Sequence, residues 1–479
     1  MKEEGKRLAE RILQEEREKA EVVAQDPWRL RFHLMPPVGW LNDPNGLCQA
    51  DGLYHVFFQY SPFDAEGKDK FWGHYTSENL RDWTYRGVPL VTDEAFDRNG
   101  VYSGCAYAAD GKLYLYYTGN VKEPGDHDYI LEGRGANVIL VEADRKGESF
   151  GDKQLLLTNA DYPAEYTCHV RDPKVFSADG AYWMVLGGRK RDGRGAVLLY
   201  RSGDLKNWTY AKQLQTEADF GYMWECPDLF CLDGAWFLSL SPQGLPRGEY
   251  EFQNVYASGF FRVDGDFCGD CRLEEFAEWD KGFDFYAPQT FEDEKGRRIL
   301  IGWAGLPDIG PEYDNPTVAR GWQHALTVPR VVTRKEGRLR QYPVPELSLL
   351  RREELFLEPG REERLPAAFD LELELSGGSG ELSVTIEKEL RFCFDDQKAE
   401  LSFAGGRPGH FAGIGRGRSL RRARLNRLES VRILADTSLV EIYVNGGELV
   451  FTTRYYPEGD GRSVLVEGAV DRIGCWRME

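Results

Sequence analysis

The sequence predicts an all-β protein in which a five-fold repeat is preceded by one short helix and followed by a second, unlike β unit. Three observations carry this. A two-residue turn followed by a buried-looking strand returns five times, as DGLYHVFFQY from Asp51, DGKLYLYYTG from Asp110, DGAYWMVLGG from Asp179, DGAWFLSLSP from Asp233 and KGRRILIGWA from Lys295. Between the turns lie short aromatic and β-branched runs broken by Gly, Asp, Asn and Pro, the texture of strands and hairpins. Near the C-terminus ELSVTIEK, RFCFDD and LVEIYVNGGELVFTTRYYP alternate apolar with polar residues outside the repeat.

Residues 1–25 are densely charged, with Leu8, Ile12 and Leu13 at helical spacing, and predict an amphipathic helix packed on a larger body. Residues 26–337 hold the repeat. Its turn glycines, Gly52, Gly111, Gly180, Gly234 and Gly296, are 59, 69, 54 and 62 residues apart, room for four strands each. Asp-Gly suits such turns because a tight hairpin needs positive φ angles, which Gly adopts without steric penalty. SENLRDW from Ser77 and SGDLKNW from Ser202 echo one another later in the first and third repeats. Five sheets that cannot each bury both faces alone can do so by stacking radially, which is a five-bladed β-propeller. A β-sandwich with long insertions would not give such regular spacing. Residues 338–352 read as a Pro-containing linker and 353–479 as a C-terminal β-sandwich with a hairpin turn at Asn445-Gly446. The basic cluster Arg416, Arg418, Arg421, Arg422, Arg424 and Arg427 reads as a solvated loop salt-bridged to the acidic main domain, with binding of a phosphorylated ligand or a partner as the alternative.

Composition removes several function classes. The 479 residues include 79 acidic and 60 basic side chains, a net charge of -19, which repels nucleic acid. With 42% hydrophobic and 13% aromatic residues, disorder is excluded as the main state. No apolar run approaches the ~18 residues of a membrane span. The first residues lack the apolar stretch of a secretory signal, so a soluble, cytoplasmic protein with no membrane partner is expected. Nine cysteines spread over the chain fit reduced thiols, and the one CxxC, Cys268 to Cys271, has no second pair at zinc spacing. The histidines form neither HxxxH nor HExxH, so no metal and no cofactor are expected. Oligomeric state is left open.

The segment before each repeated turn is the first strand of its blade, and first strands line a propeller's channel. These segments read NDPNGLCQADG from Asn42, YSGCAYAADG from Tyr102, RDPKVFSADG from Arg171, ECPDLFCLDG from Glu225 and YAPQTFEDEKG from Tyr286. Asp43, Ser103, Asp172 and Glu225 stand 9, 8, 8 and 9 residues before their turn glycines, so they should meet at one mouth of the channel. Each acid alone reads as a turn or cap residue. Three together, near Trp40, Asn42, Asn45 and Trp224, point to function, because neighbouring like charges raise each other's pKa and cost stability. A Ca²⁺ or Mg²⁺ cage would also use acids, but Arg171 and the aromatic neighbours favour a sugar. Retaining glycoside hydrolysis needs two carboxyl groups ~5–5.5 Å apart, one ionised and one protonated.

The motifs WLNDPNG from Trp40, FFQYSP from Phe57, FWGHYTS from Phe71, YSG from Tyr102, RDP from Arg171, WECPD from Trp224 and DFYAPQ from Asp284 occur in this order. Through them the chain, from about Trp28 to Pro457, resembles glycoside hydrolase family 32, the β-fructofuranosidases. GWAGLPD, GWQHALTVPR and VEIYVNGGE resemble the family's cytoplasmic sucrose-6-phosphate hydrolases more than its secreted members. The resemblance implies a five-bladed propeller followed by a β-sandwich and retaining hydrolysis of sucrose 6-phosphate and sucrose. It implies Asp43 as nucleophile, Glu225 as acid/base and Asp172 as transition-state stabiliser, with Trp40, Leu41, Asn42, Gln59, Trp72, Tyr102, Ser103 and Arg171 binding the sugar. Trp83 and Trp208 are expected in the core, and Cys226 as a supporting residue. Blade two carries YSG where many relatives carry FSG, which adds a hydroxyl at the leaving-group side. A substrate phosphate needs cations, and Lys68, Lys70, Arg189, Lys190, Arg191, Arg247 and Arg320 are candidates of equal standing. Hydrolysis of imported fructo-oligosaccharides, a non-catalytic sugar-binding propeller and a protein-binding scaffold are the alternatives.

Overall fold

Strands dominate the computed structural model, which describes residues 2–310, 314–375, 381–395, 397–403 and 419–479. The helix Glu3–Ala24 comes first and lies against the first sheet. Ile12 is fully buried on it, and Glu16 accepts hydrogen bonds from Tyr60 Oη (3.0 Å) and Tyr85 Oη (2.6 Å). Leu13, expected on the packed face, is 45% exposed, because the helix buries a stripe through Ile12, Glu16 and Val23.

Residues 39–343 form five antiparallel sheets, each opening with the strand that carries a repeated motif: Gly39–Ala50, Val101–Ala109, Tyr166–Ala178, Met223–Leu232 and Tyr286–Glu292. Each holds four antiparallel strands, and the first gains a fifth. The short strand Trp322–Gln323 pairs in parallel with Gly39–Ala50, and so ties the end of the repeat region to its start. The outer strand of the fifth sheet is Arg338–Pro343, which pairs with Arg330–Lys335. Opening strands of successive sheets touch in order, and the fifth returns to the first.

The turn chemistry explains the first four repeats. Asp51-Gly52, Asp110-Gly111, Asp179-Gly180 and Asp233-Gly234 all adopt positive φ at both residues, the two-residue hairpin geometry that Asp-Gly favours. The SENLRDW and SGDLKNW echoes fold alike. Ser77 and Ser202 accept from the backbone N–H of Asn79 and Asp204, Leu80 and Leu205 are buried at positive φ, and Trp83 and Trp208 pack half-buried behind them.

Residues 338–352 are not a linker. Arg338–Pro343 completes the fifth sheet, Pro345–Leu350 is a 3₁₀ turn, and Arg351–Glu354 begins the next unit. Pro343 and Pro345 made the segment look like a linker, yet proline is tolerated on an outermost strand, and Pro343 ends this one.

Beyond it, two six-stranded sheets share one apolar core that includes Phe369, Leu371, Val384, Phe392, Ile433 and Phe451. Asn445-Gly446 lies in the turn between Leu439–Val444 and Leu449–Arg454, both residues at positive φ. Arg416 and Arg418 of the basic cluster lie outside the described residues. Arg421 donates to Asn254 (2.9 and 2.7 Å), Arg422 reaches Glu400 (2.7 Å) and Glu249 (3.5 Å), Arg424 stacks on Tyr250, and Arg427 pairs with Glu429. The described part of the cluster thus docks this unit on the fourth sheet's Glu249–Asn254 segment.

Candidate active site

The five opening strands share an irregularity that their spacing alone does not reveal. Each loses register with its partner at the same place: at Asn42-Asp43, Tyr102-Ser103, Asp172-Pro173, Cys226-Pro227 and Ala287-Pro288. A β-bulge there re-aims side chains out of the pleat. Proline, lacking an N–H, fits a position where the ladder is already broken. Three of the five bulges carry one, at Pro173, Pro227 and Pro288, and Pro44 directly follows the first. Asp172, Cys226 and Ala287 sit at positive φ (63°, 48° and 47°), a strain of roughly 1–3 kcal/mol each that clusters at functional sites.

The bulges bring the three acids together. Asp43 accepts from Ser103 Oγ at one oxygen and from Asn42 Nδ2 (3.0 Å) at the other. Asp172 is buried and accepts from the Cys226 backbone N–H (2.9 Å), while its own N–H donates to Thr118 Oγ1 (2.9 Å). Cys226 Sγ lies 3.9 Å from Asp43 and 3.7 Å from Asp172, so a small supporting residue bridges the two. Glu225 accepts from Tyr286 Oη and Gln243 Nε2, both at 2.8 Å, and faces Arg171 Nη1 at 3.5 Å.

Burial raises all three acids above their ordinary values. For Asp43, hydrogen bonds from Ser103 and Asn42 and the charges of Lys70 and Arg171 partly offset it. Asp172 is pushed up to about 8 by burial and then by Glu225. Glu225 is raised by burial, against the opposing pull of Arg171. The two titrate as a pair and hold a proton into the neutral range. Burial opposes the charge of Arg171, but Glu225 and Asp172 outweigh it and keep that guanidinium ionised. Burial lowers Lys70 to about 8, and its Nζ sits 3.3 Å from Asn42 and over the Trp40 ring. The pocket can therefore hold an ionised carboxylate and a protonated one side by side.

Most sugar-binding candidates line this pocket. Trp40 donates from Nε1 to Asn42 (2.8 Å), Asn42 reaches toward Gln59 (3.4 Å), and Gln59 donates to the Val101 carbonyl (3.0 Å). Tyr102, Ser103 and Arg171 stand beside the acids on the second and third sheets. Leu41 and Trp72 do not belong to the contact surface, since both are fully buried. Leu41 alternates to the face opposite Asn42 and enters the apolar core, and Trp72 supports Tyr102 by donating to its carbonyl (3.1 Å). Tyr286 and Gln243 were missed. Tyr286 occupies the fifth repeat's equivalent position, ten residues before Gly296, and a search for acids passes over it.

Among the cation candidates, Arg320 pairs with Asp26 (3.1 Å) beside Trp28, Lys68 with Glu66 (3.0 Å), and Arg191 donates to the Ala164 carbonyl. A separate cavity of about 810 Å³ is lined by Lys2, His74, Arg86, Phe150 and Lys153. Its lysines are already paired, Lys2 with Glu94 and Lys153 with Asp93 and Asp97, and its Arg86 donates to Thr76 Oγ1 (2.8 Å). Among the described residues no group of three His, Cys, Asp or Glu is placed to hold a metal ion.

Comparison with known proteins finds similarity over nearly the whole chain. Residues 33–343 match the glycosyl hydrolases family 32 N-terminal domain, and residues 357–474 match the family's C-terminal domain. A sucrose-6-phosphate hydrolase of Bacillus subtilis is 37% identical over 98% of both chains. The solved sucrose-6-phosphate hydrolase of Lactobacillus gasseri superposes with a TM-score of 0.86, at 28% identity over 98% of this chain and 96% of that one. A Bombyx mori family 32 beta-fructofuranosidase, solved as a mutant in complex with sucrose, superposes with a TM-score of 0.84, at 27% identity over 100% and 99%.

Proposed function

The chain belongs to glycosyl hydrolase family 32, and on that premise we propose that it hydrolyses sucrose 6-phosphate, and sucrose, with retention at the fructose carbon. The observation that carries the reading is the meeting of Asp43, Asp172 and Glu225 from three different sheets around the single guanidinium of Arg171. We also read the five sheets as propeller blades, supported by the return contact of the fifth opening strand to the first, and the two six-stranded sheets as a sandwich. The propeller then ends at Pro343 and the sandwich begins near Arg351.

Asp43, ionised, attacks the anomeric carbon C2 of the fructosyl unit. The C2–O bond to the leaving sugar breaks, and Glu225 gives its proton to the departing oxygen. Water then attacks C2, Glu225 takes its proton, and the Asp43–C2 bond breaks to release fructose. Asp172 accepts hydrogen bonds from fructose hydroxyls, which favours its ionised form and leaves the shared proton on Glu225. Trp40, Asn42, Gln59, Tyr102, Ser103 and Arg171 shape the fructose subsite. No step calls for a metal or organic cofactor. Soluble, cytoplasmic action on an imported, phosphorylated sugar is consistent with the absence, among the described residues, of any helix long and apolar enough to span a membrane.

The test is fructose release from sucrose 6-phosphate, sucrose and inulin in parallel. A tenfold lead in kcat/KM for the phosphorylated sugar, about 1.4 kcal/mol of transition-state binding, is expected. A lead for inulin would replace the assignment by fructo-oligosaccharide hydrolysis. No release from any of the three would overturn the catalytic reading.

A further inference from the structure

The rim beside Glu225 carries more positive charge than the three acids use. His169 precedes Arg171 by two residues on the strand Tyr166–Ala178, so the two share a face. Arg134 Nη1 lies 2.8 Å from His169 Nε2, and Arg171 Nη2 lies 2.7 Å from Nδ1. A guanidinium only donates, and a neutral imidazole has one donor nitrogen and one acceptor. One of these two contacts therefore sets donor against donor, and the only acceptor the imidazole meets among the described residues is the Tyr129 backbone carbonyl. Protonating His169 would make both contacts unfavourable. Burial and the charges of Arg171, Arg134 and Arg189 push the imidazole down to about 2, so it stays neutral.

Arg189, near the end of the adjacent strand Ala181–Lys190, adds a third guanidinium, stacked 4.7 Å over the Tyr222 ring. Arg171 faces Glu225, but among the described residues neither Arg134 nor Arg189 forms an ion pair with a carboxylate. The buried Nε of Arg134 has no hydrogen-bond partner among them. In a chain of net charge -19, Arg134 is left without an acid and is opposed by the charge of Arg171, a cost that a bound anion removes.

We infer that Arg134 and Arg189, on either side of His169, form the subsite for the phosphate monoester on the leaving sugar. The inference rests on the hydrolase reading above. Glu225 protonates the bridging oxygen, so the leaving sugar lies on its side of the pocket, and the line from Glu225 through Arg171 to His169 leads outward to the two arginines. Phosphate oxygens accept from both guanidiniums, including the Arg134 Nε that has no partner among the described residues. Guanidinium matches phosphate as a two-pronged donor.

The experiment compares Arg134→Gln, Arg189→Gln and the double variant on sucrose 6-phosphate and sucrose, with glucose 6-phosphate, inorganic phosphate and glucose as inhibitors of sucrose hydrolysis. The ratio of kcat/KM values, phosphorylated over plain sucrose, should fall at least tenfold in the double variant. Inhibition by glucose 6-phosphate should weaken by a similar factor and inhibition by glucose should not, and Arg134→Lys should recover part of the ratio. Parallel loss with both substrates would mean that the arginines only hold the fold and would overturn the inference. A preference for the phosphorylated sugar that survives the double substitution would move the subsite elsewhere and leave the hydrolase reading standing. A wild-type protein with no such preference, and no added inhibition from the phosphate group, would overturn the phosphorylated substrate and the subsite together.

Discussion

Asp172 and Glu441 are both carboxylates taken out of water, yet they titrate on opposite sides of the ordinary range, about 8 for one and about 2 for the other. Burial acts on both in the same sense and would raise each. The difference lies in the company. Glu441 accepts from Arg330 Nε (3.0 Å) and Nη2 (2.6 Å), from His33 Nε2 (2.9 Å), from the Val328 N–H (2.9 Å) and from Tyr443. His33 bonds Asp436 through its other nitrogen (2.8 Å) and is raised to about 9, and Arg330 reaches Asp280 as well (3.3 Å). This network joins the N-terminal segment, the fifth sheet and the C-terminal unit. At the bulges, three acids share Arg171. A buried acid with enough donors is a fastener, and one with too few is a poised proton.

Three substitutions sharpen or break that contrast. Asp43→Asn and Glu225→Gln should lower kcat by roughly 10⁴ and 10³ while leaving thermal unfolding unchanged or slightly raised. Retention of a tenth of the wild-type turnover in either would remove the acid from the mechanism. Arg330→Met should do the reverse. It leaves Glu441 and Asp280 buried without their cation, at about 3–5 kcal/mol in urea unfolding, with turnover per folded molecule changed less than twofold.

The pH profiles should separate the clusters as well. Activity needs Asp43 ionised and a proton on the Asp172–Glu225 pair, so kcat/KM should be bell-shaped and fall as pH rises through about 8. Tyr286→Phe removes a hydrogen bond that lowers the Glu225 pKa, so the alkaline limb should move to higher pH with up to about tenfold loss of kcat. Stability behaves differently. The Glu441 contribution, with its pKa depressed, is present above its ordinary value of 4.5 and lost as pH falls through about 2. The His33 contribution, with its pKa raised, is full below 6.5 and lost as pH rises through about 9. Asp172, also raised, costs stability increasingly as pH climbs from the ordinary carboxylate range through about 8. The smallest effect follows from that sign. Asp172→Asn should raise Tm at pH 8 by about 1–3 °C, read by calorimetry, while impairing turnover.

Much of this was legible in the sequence, for reasons that can be traced to particular residues. Asp43, Asp172 and Glu225 were found because equal offsets from a repeated Asp-Gly turn place residues at equal heights in their sheets. Tyr286 stands at nearly the same offset, ten residues before Gly296, and lacks the charge that singled out the acids. The bulges were visible as Pro44, Pro173, Pro227 and Pro288 in strands that otherwise read as regular. Leu41 was misplaced because a motif names a stretch of chain, whereas strand alternation decides which side chains face the pocket. Arg338–Pro343 was misread from the prolines at its end, although a sheet of four strands in each repeat required one more strand there. His33, Arg330 and Glu441 were not legible, since residues 33, 330 and 441 meet only through the tertiary fold.

The most direct measurement is the protonation of the pocket itself, by difference infrared spectroscopy of the carboxyl C=O band at pH 6.5, comparing wild type with Glu225→Gln and Asp172→Asn, and with Glu441→Gln as the contrasting cluster. The account predicts that the wild-type protein carries a protonated carboxyl band that the two pocket substitutions diminish or shift and Glu441→Gln leaves in place. A pocket with no protonated carboxyl at that pH would contradict it.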